Sequence, residues 1–320
     1  MMVHVNSSKQ IRLLDMKHDL GQIADLIEIC FYHQMDPDGK RYLRQIRTAA
    51  NNRLQQRYFK ISGMQISYPI YGFVWEEDQK IVGNITIIPH LHAGKWHFLV
   101  ANIAVNPDYR QRGIARKLTQ KAIDHLTNKK IKTIWLQVRE NNHNAINLYR
   151  SLGFKDQAIR TMWIMKSLTE QDHNSQLHRV TERRRGSDWN LHKEWLLDTY
   201  PKEITWYLPF DLQLFKPGIY SLVYKIINGK MSTHWSIYDR DRFIGSATWQ
   251  PTNMFADLIW LAVNKKREGE AIEVLLKDIK KHVILKKPIL VNYPYNIGVE
   301  PFLSSGFKVH NTLIWMKYGN

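Results

Sequence analysis

Three arginines surround a glycine in Arg110-Gln111-Arg112-Gly113-Ile114-Ala115-Arg116. The apolar run Ile103-Ala104-Val105 precedes them, Asn106-Pro107-Asp108 breaks it, and an amphipathic stretch follows to about Asn128. The order is a strand, a tight basic turn and a helix N-terminus. The first amides of a helix lack intrahelical acceptors and carry the positive end of its dipole. Gly113 lets the backbone approach an anion closely, and Ala115 keeps the next turn small. Arginine at a helix start has the wrong sign for the dipole unless an anion binds there. The segment therefore reads as an anion site suited to a pyrophosphate. The spacing Arg110-x-x-Gly113-x-Ala115 is neither the dinucleotide fingerprint, which needs three small residues, nor a Walker loop, which needs Gly-Lys-Ser/Thr.

Other chemistry-bearing residues are less telling. His90, His92 and His97 put two rings on one strand face, but a third ligand and a nearby carboxylate are missing, so no metal site is expected. Cys30 is the single cysteine and lies in the apolar run Leu26–Tyr32, as a buried helical residue would. One cysteine excludes an intrachain disulfide and fits a cytoplasmic address. No run reaches the roughly 18 to 20 apolar residues of a membrane span, and the N-terminus has no apolar core before its first charges. The net charge is +17, and residues 1–166 hold +12 of it, with 25 Lys/Arg against 13 Asp/Glu. A basic surface suits an anionic ligand, a cofactor with several phosphates included, or a nucleic acid.

The elements that must position the basic turn follow from periodicity. Gln10–Asp15 reads as a short strand. Asp19 stands where it would cap a helix running to about Tyr32, with Ile23, Leu26, Ile27 and Cys30 at helical spacing. Asp36-Pro37 opens a second helix. Tyr71–Glu76, Lys80–Pro89 and Trp96–Val105 are strands, the first two joined by the turn Glu77–Gln79. A helix from Gly113, a strand Thr133–Val138, a helix Asn144–Leu152 and a closing strand Arg160–Lys166 complete the first half. Residues 167–187 are a polar linker. The second half repeats parts of the first in order. Arg242–Gly245 echoes Lys80–Gly83, Leu261–Asn264 echoes Ile103–Asn106, Ser304–Phe307 echoes Ser151–Phe154, and Leu313–Lys317 echoes Met162–Lys166.

The basic turn resembles the acetyl-CoA signature Arg/Gln-x-x-Gly-x-Gly/Ala of the GCN5-related N-acetyltransferases, the GNAT family. Leu136–Phe154 (LQVRENNHNAINLYRSLGF) resembles that family's second signature, a strand and an Asn followed by Ala, Leu-Tyr and Gly-Phe. The resemblance is strong over residues 10–166 and weak over 188–317. It implies an α/β (α+β) chain of two tandem domains, each a mixed, mostly antiparallel sheet flanked by helices. Residues 1–166 would be the catalytic domain, 167–187 the linker and 188–320 a degenerate, non-catalytic copy.

The resemblance also assigns roles. The backbone of Gln111, Arg112, Gly113, Ile114 and Ala115 would hold the pyrophosphate of acetyl-CoA, with Arg110 and Arg116 beside it. Ile103, Ala104 and Val105 would pair with the pantetheine amides. Asn142 would hydrogen-bond near that arm, and Tyr149 would protonate the departing thiolate. The co-substrate is acetyl-CoA, and the acceptor is an amine on a small molecule or a protein. Gln137 stands where ribosomal-protein-type members often carry a glutamate, so a base must be sought elsewhere. Glu140, Glu76 and Glu77 are candidates, and a water relay or an already neutral amine would also serve. Aligned on the Gly-Phe pairs, Tyr149 falls on Phe302 and Asn142 on Tyr295, while Glu268 and Glu270 flank Gly269 of the second basic turn. Two carboxylates there would repel a pyrophosphate. Two other classes remain: a sensor that binds acetyl-CoA without turnover, and a basic nucleic-acid- or ribosome-associated protein. Gly113→Glu is expected to abolish acetyl-CoA binding by placing a side chain and a negative charge in the cradle. Calorimetry on the folded variant checks it, and unchanged affinity would remove the cofactor from this loop.

Overall fold

A computed structural model of the chain describes residues 10–51, 71–166, 181–182, 185–227, 229, 232–282 and 287–319. The chain forms two compact units, Met1–Gln157 with Trp315–Asn320, and Ala158–Ile314.

The first unit is built on strands β1 (Ile11–Leu13), β2 (Tyr71–Glu77), β3 (Lys80–His92), β4 (Lys95–Val105) and β5 (Ile134–Arg139). β1 to β4 are antiparallel neighbours, and β4 runs parallel to β5. β2 carries a near-continuous apolar run because both its faces are covered. Val74 packs with helices α1 (Leu20–Phe31) and α2 (Pro37–Asn51). Trp75, the next residue, turns to the other face, where Lys117 of helix α3 (Ile114–Asn128) lies over its ring. α1 buries Leu20, Ile23, Ala24, Leu26 and Ile27, the helical spacing expected. Helix α4 (His143–Ser151) follows β5.

Asp19 does not cap α1 with its side chain. Its carboxylate is 2% exposed and accepts from Arg12 Nη1 at 2.6 Å, Arg12 Nη2 at 2.9 Å and the Asp15 N–H at 2.7 Å. A two-pronged guanidinium contact is stronger than one bond to a helix amide, and it ties β1 to the entrance of α1.

The second unit repeats the plan. β6 (Phe154–Met165), β7 (Thr181–Glu182), β8 (Thr233–Asp239), β9 (Arg242–Gln250), β10 (Asp257–Val263) and β11 (Ile289–Pro294) are its strands. β7 to β10 are antiparallel neighbours in chain order, β10 runs parallel to β11, and β11 pairs antiparallel with Arg160–Met165 of β6. Helix α5 (Trp189–Thr199) covers one face, and α8 (Glu268–His282) and α9 (Val299–Ser304) cover the other. Between α5 and α8 lie α6 (Lys202–Thr205) and α7 (Ile219–Ile227). The internal repeat extends to fine detail. The β2–β3 and β8–β9 hairpins each carry a register shift, at Trp75/Glu76 and Ile237/Tyr238. Asn106 N–H donates to Val82 O at 2.9 Å, and Asn264 N–H to Ile244 O at 3.0 Å.

The compact units differ from the chain halves. The closing strand of the first half joins the second unit from Ala158 onward, and the end of β12 (Lys308–Tyr318) returns to the first. Each strand follows its partners. Arg160 of β6 is buried and donates to Asn292 Oδ1, Asn292 O and Thr199 O at 2.7, 3.1 and 2.8 Å. Trp315 of β12 packs edge-to-face on Trp135. Most of the expected linker 167–187 lies outside the described residues.

Gly83 sets how closely α3 approaches the sheet. A Cβ there would lie 2.8 Å from Ile114 Cγ2 and 3.0 Å from Leu118 Cδ1. Gly83→Ala is expected to cost about 1–3 kcal/mol in urea unfolding. Gly186, where a Cβ meets nothing within 4 Å, is expected to accept alanine within about 0.5 kcal/mol.

Candidate functional site

The strand-to-helix turn is built by local rules. β4 ends at Val105, and Asn106 Oδ1 accepts from the Asp108 N–H at 3.1 Å, forming a side-chain-closed turn. Gln111 and Gly113 both have positive φ, +63° and +75°. α3 then starts with no side-chain cap and no acidic residue in its first turn. Its leading amides therefore keep the positive end of the dipole unanswered by any carboxylate of that turn. The space above Gly113 is open, and a Cβ there would meet no heavy atom within 4 Å.

The three arginines are exposed and separately anchored. Arg110 Nε donates to Val105 O at 3.2 Å, and Arg112 Nη2 to Asp108 O at 3.2 Å. Arg112 also stacks over Tyr109 and lies 3.8 Å from Glu77. Arg116 Nη2 donates to Ser151 Oγ at 2.8 Å, which links the start of α3 to the end of α4.

β4 and β5 pair only over Phe98–Val100 and Ile134–Leu136. Beyond Val100, β4 bulges: Asn84 faces Ala104 while Thr86 faces Ala101, and Asn102 sits at φ +50°. Asn84 Nδ2 donates to Asn102 O at 3.0 Å, and Asn102 Nδ2 to Tyr42 Oη at 3.1 Å, so the bulge is held from β3 and α2. A cavity of about 390 Å³ occupies this region of the first unit. Ile103, Ala104 and Val105 form one wall, Asn142, Ala145, Leu148 and Tyr149 another, and Arg110 and Ala115 are at the turn. Of the expected residues, Gln111, Arg112, Gly113 and Arg116 border the helix start and do not line the cavity. Ile114 is buried, packed toward Gly83.

Asn142 proves to be the cap of α4, its Oδ1 accepting from the Ala145 N–H at 3.2 Å, while it also lines the cavity. Tyr149 is 7% exposed and packs edge-to-face on Phe154 at 6.1 Å. Burial holds its phenol well above the usual tyrosine range, so it stays protonated.

The candidate bases are elsewhere. Glu76 binds Arg12 at 2.5 Å, Glu77 accepts from Trp75 Nε1 at 2.9 Å, and neither they nor Gln137 or Glu140 line the cavity. His90 and His97 are register partners in the β3–β4 hairpin, and the His90 and His92 rings stack at 6.5 Å. Burial and neighbouring cations lower the His97 pKa.

Sequence reasoning missed Cys30 and Phe31 at the end of α1 and Gln34 in the turn after it, which also line the cavity. Cys30 Sγ–H donates to Val105 O at 3.3 Å, and burial raises its thiol pKa despite Arg110 nearby. The apolar run around Cys30 signals a helix face, not what that face meets 75 residues later.

The corresponding turn of the second unit is different. α8 opens with Glu268 and Glu270. Arg267 binds Glu270 through both prongs at 2.8 Å and also Asp239, and Tyr293 Oη donates to Glu268 Oε1 at 2.7 Å. Phe302 is buried and stacks on Trp163, rings 4.7 Å apart and 5° from parallel.

Residues 36–154 match the model of the acetyltransferase (GNAT) family. Over 59 residues, 18% of this chain, the sequence is 49% identical to ribosomal protein bS18-alanine N-acetyltransferase of Escherichia coli (strain K12). The match spans 40% of that relative's length. Over 121 residues, 37% of this chain and 81% of the relative, it is 28% identical to N-alpha-acetyltransferase 30 of Schizosaccharomyces pombe. The crystal structure of a GCN5-related N-acetyltransferase from Sphaerobacter thermophilus shares the fold, with a TM-score of 0.58 at 12% identity. That likeness covers 97% of this chain and 95% of the other, so it includes both halves. Among the described residues, no helix is long and apolar enough to cross a membrane.

Proposed function

We propose that this chain, which carries a domain of the acetyltransferase (GNAT) family, transfers an acetyl group from acetyl-CoA to the α-amine of a peptide or protein. The observation that carries the reading is the uncapped, arginine-flanked start of α3 at one end of a cavity whose wall includes Tyr149. The donor set fits the co-substrate. Outward helix amides and Arg110, Arg112 and Arg116 suit a pyrophosphate. The bulged edge of β4, Ile103 to Val105, suits the amides of an extended arm. Bound acetyl-CoA supplies the thioester, an activated acyl group.

The residues of the chain orient and protonate. Orientation in the cleft accounts for much of the rate of such a transfer. A backbone N–H at the bulge can polarise the acyl carbonyl. Tyr149, whose phenol is protonated at neutral pH, donates its proton to the sulfur as the thiolate leaves.

The cavity lining supports a choice of acceptor class. Among the described residues lining it there is no carboxylate and no histidine. An acceptor must then arrive neutral or give its proton to water. At pH 7.5 about a third of α-amines are neutral, against about 0.1% of lysine side chains. That difference of roughly 300-fold favours an N-terminal amine. Two relatives are named for acceptors of this kind, the alanine of ribosomal protein bS18 and N-alpha amines.

The cofactor site is assigned to the first unit alone. In the second, Glu268 and Glu270 occupy the helix start and Phe302 replaces the tyrosine. Acetyl-CoA titration is expected to give one site per chain, and two equivalent sites would overturn that assignment. Tyr149→Phe keeps the ring and removes the hydroxyl. Turnover with a peptide acceptor, followed by released CoA thiol, is expected to fall ~10²-fold, the low end for a general acid because a thiolate leaves readily. Acetyl-CoA affinity should hold within about twofold, since a hydrogen bond to sulfur is worth roughly 1 kcal/mol or less. Turnover at the wild-type level would return Tyr149 to a packing role, and binding without any thiol release across a peptide panel would favour a sensor.

A further inference from the structure

The last residues of the chain belong to the first unit, and their ring contacts lead to Tyr149. Tyr318 ends β12, and its ring lies 5.5 Å from Phe154 at 62°. Phe154 in turn lies 6.1 Å from Tyr149 at 66°. Both pairs have the edge-to-face geometry that aromatic quadrupoles favour. Phe154 is 2% exposed, so its ring is enclosed by the packed interior. Among the described residues no hydrogen bond fixes the Tyr149 hydroxyl. Packing against Phe154 is a contact that bears directly on the angle of that ring.

The backbone carries the same contact. Gly153, between α4 and β6, has φ +94°, and a Cβ there would lie 3.2 Å from Tyr318 Cε2. The Gly319 N–H donates to Gly153 O at 3.4 Å. Three residues before Tyr318, Trp315 is buried and edge-to-face with Trp135 at 6.5 Å, which anchors the segment to β5. The end of β12 thus packs on the turn that follows the helix bearing Tyr149.

We propose that Tyr318 is a positioning residue for acetyl transfer: through Phe154 it holds the Tyr149 ring at the cavity wall. The inference rests on Tyr149 as proton donor. It requires the ring of Tyr318 and not its hydroxyl, and it makes the C-terminal residues part of the working site although Tyr318 stands 169 residues from Tyr149.

The test uses the full chain with Tyr318→Phe, Tyr318→Leu and Tyr318→Ala, each with acetyl-CoA binding and turnover measured. 3-Fluorotyrosine incorporated in place of Tyr149 reports the ring's surroundings by fluorine NMR. Tyr318→Ala and Tyr318→Leu are expected to lower kcat about 10- to 100-fold, as misplacement of a reacting group does. Acetyl-CoA affinity should stay within about twofold, and the fluorine resonance should move. Tyr318→Phe should restore both kcat and the resonance. In a Tyr149→Phe background, Tyr318→Leu should add little further loss, the non-additivity of residues acting as one unit. Leucine keeps most of the bulk, so the question survives if the alanine variant fails to fold. An unmoved resonance in the leucine variant, or equal losses in Tyr318→Phe and Tyr318→Leu, would overturn the proposal. If Tyr149→Phe itself turns over like wild type, the proton-donor reading fails, and the resonance alone then judges whether Tyr318 holds the ring.

Discussion

Parallel pairing between β4 and β5 stops after Val100 and Leu136, and the candidate site depends on that stop. A fully laddered pair would leave no room between the strands. Because the strands part, β4 can bulge, with Asn102 in a left-handed conformation fixed by Asn84 and Tyr42. Such a conformation is uncommon for a residue with a side chain and persists only where its surroundings determine it. Val105 O, at the end of the strand, accepts from both Cys30 and Arg110. The gap is thereby lined by α1, the basic turn and α4.

The two units show how one plan can carry opposite electrostatics. Both have the hairpin, the parallel strand pair and a helix starting a few residues after an Asn-closed turn. At α3 the helix start has arginines and no acidic partner in its first turn, which leaves the dipole available to an anion. At α8 two glutamates answer the dipole from within the chain, and Arg267 is held by Glu270 and Asp239. In the second unit Trp163, Tyr293 and Phe307 pack on the buried ring of Phe302. Aromatic pairs, stacked or edge-to-face, add about 0.5–1.5 kcal/mol each beyond their buried area.

The compact units do not follow the halves of the chain. Residues from Ala158 to Met165 complete the second unit, and Trp315 to Asn320 complete the first. Closing so long a loop costs little more than closing a short one, because the entropy grows only with the logarithm of length. The buried ring of Trp315 against Trp135 is a contact of the size that can offset that cost.

Local chemistry was written in the sequence. Strand and helix positions follow from period-2 and period-3.6 spacing, which reports burial of nearby residues against any partner. The basic turn was legible because Asn106, Gly113 and the arginines act on their own few residues of backbone. The repeat was legible because the same turns recur in the same order. Asp19 stands at the N-cap position of α1 as its spacing indicates, yet Arg12 on β1 takes its carboxylate in place of a helix amide. Cys30 meets Val105, and Trp315 and Tyr318 return to Trp135 and Phe154 across more than 160 residues. Nothing in the spacing of those residues encodes their contacts. The sequence by itself marked most strands and helices of the first half and the basic turn that starts α3. Tertiary structure decided which side chains wall the cavity and to which unit each closing strand belongs. Those choices depend on packing between segments far apart in the chain, and only the folded sheet brings such segments together.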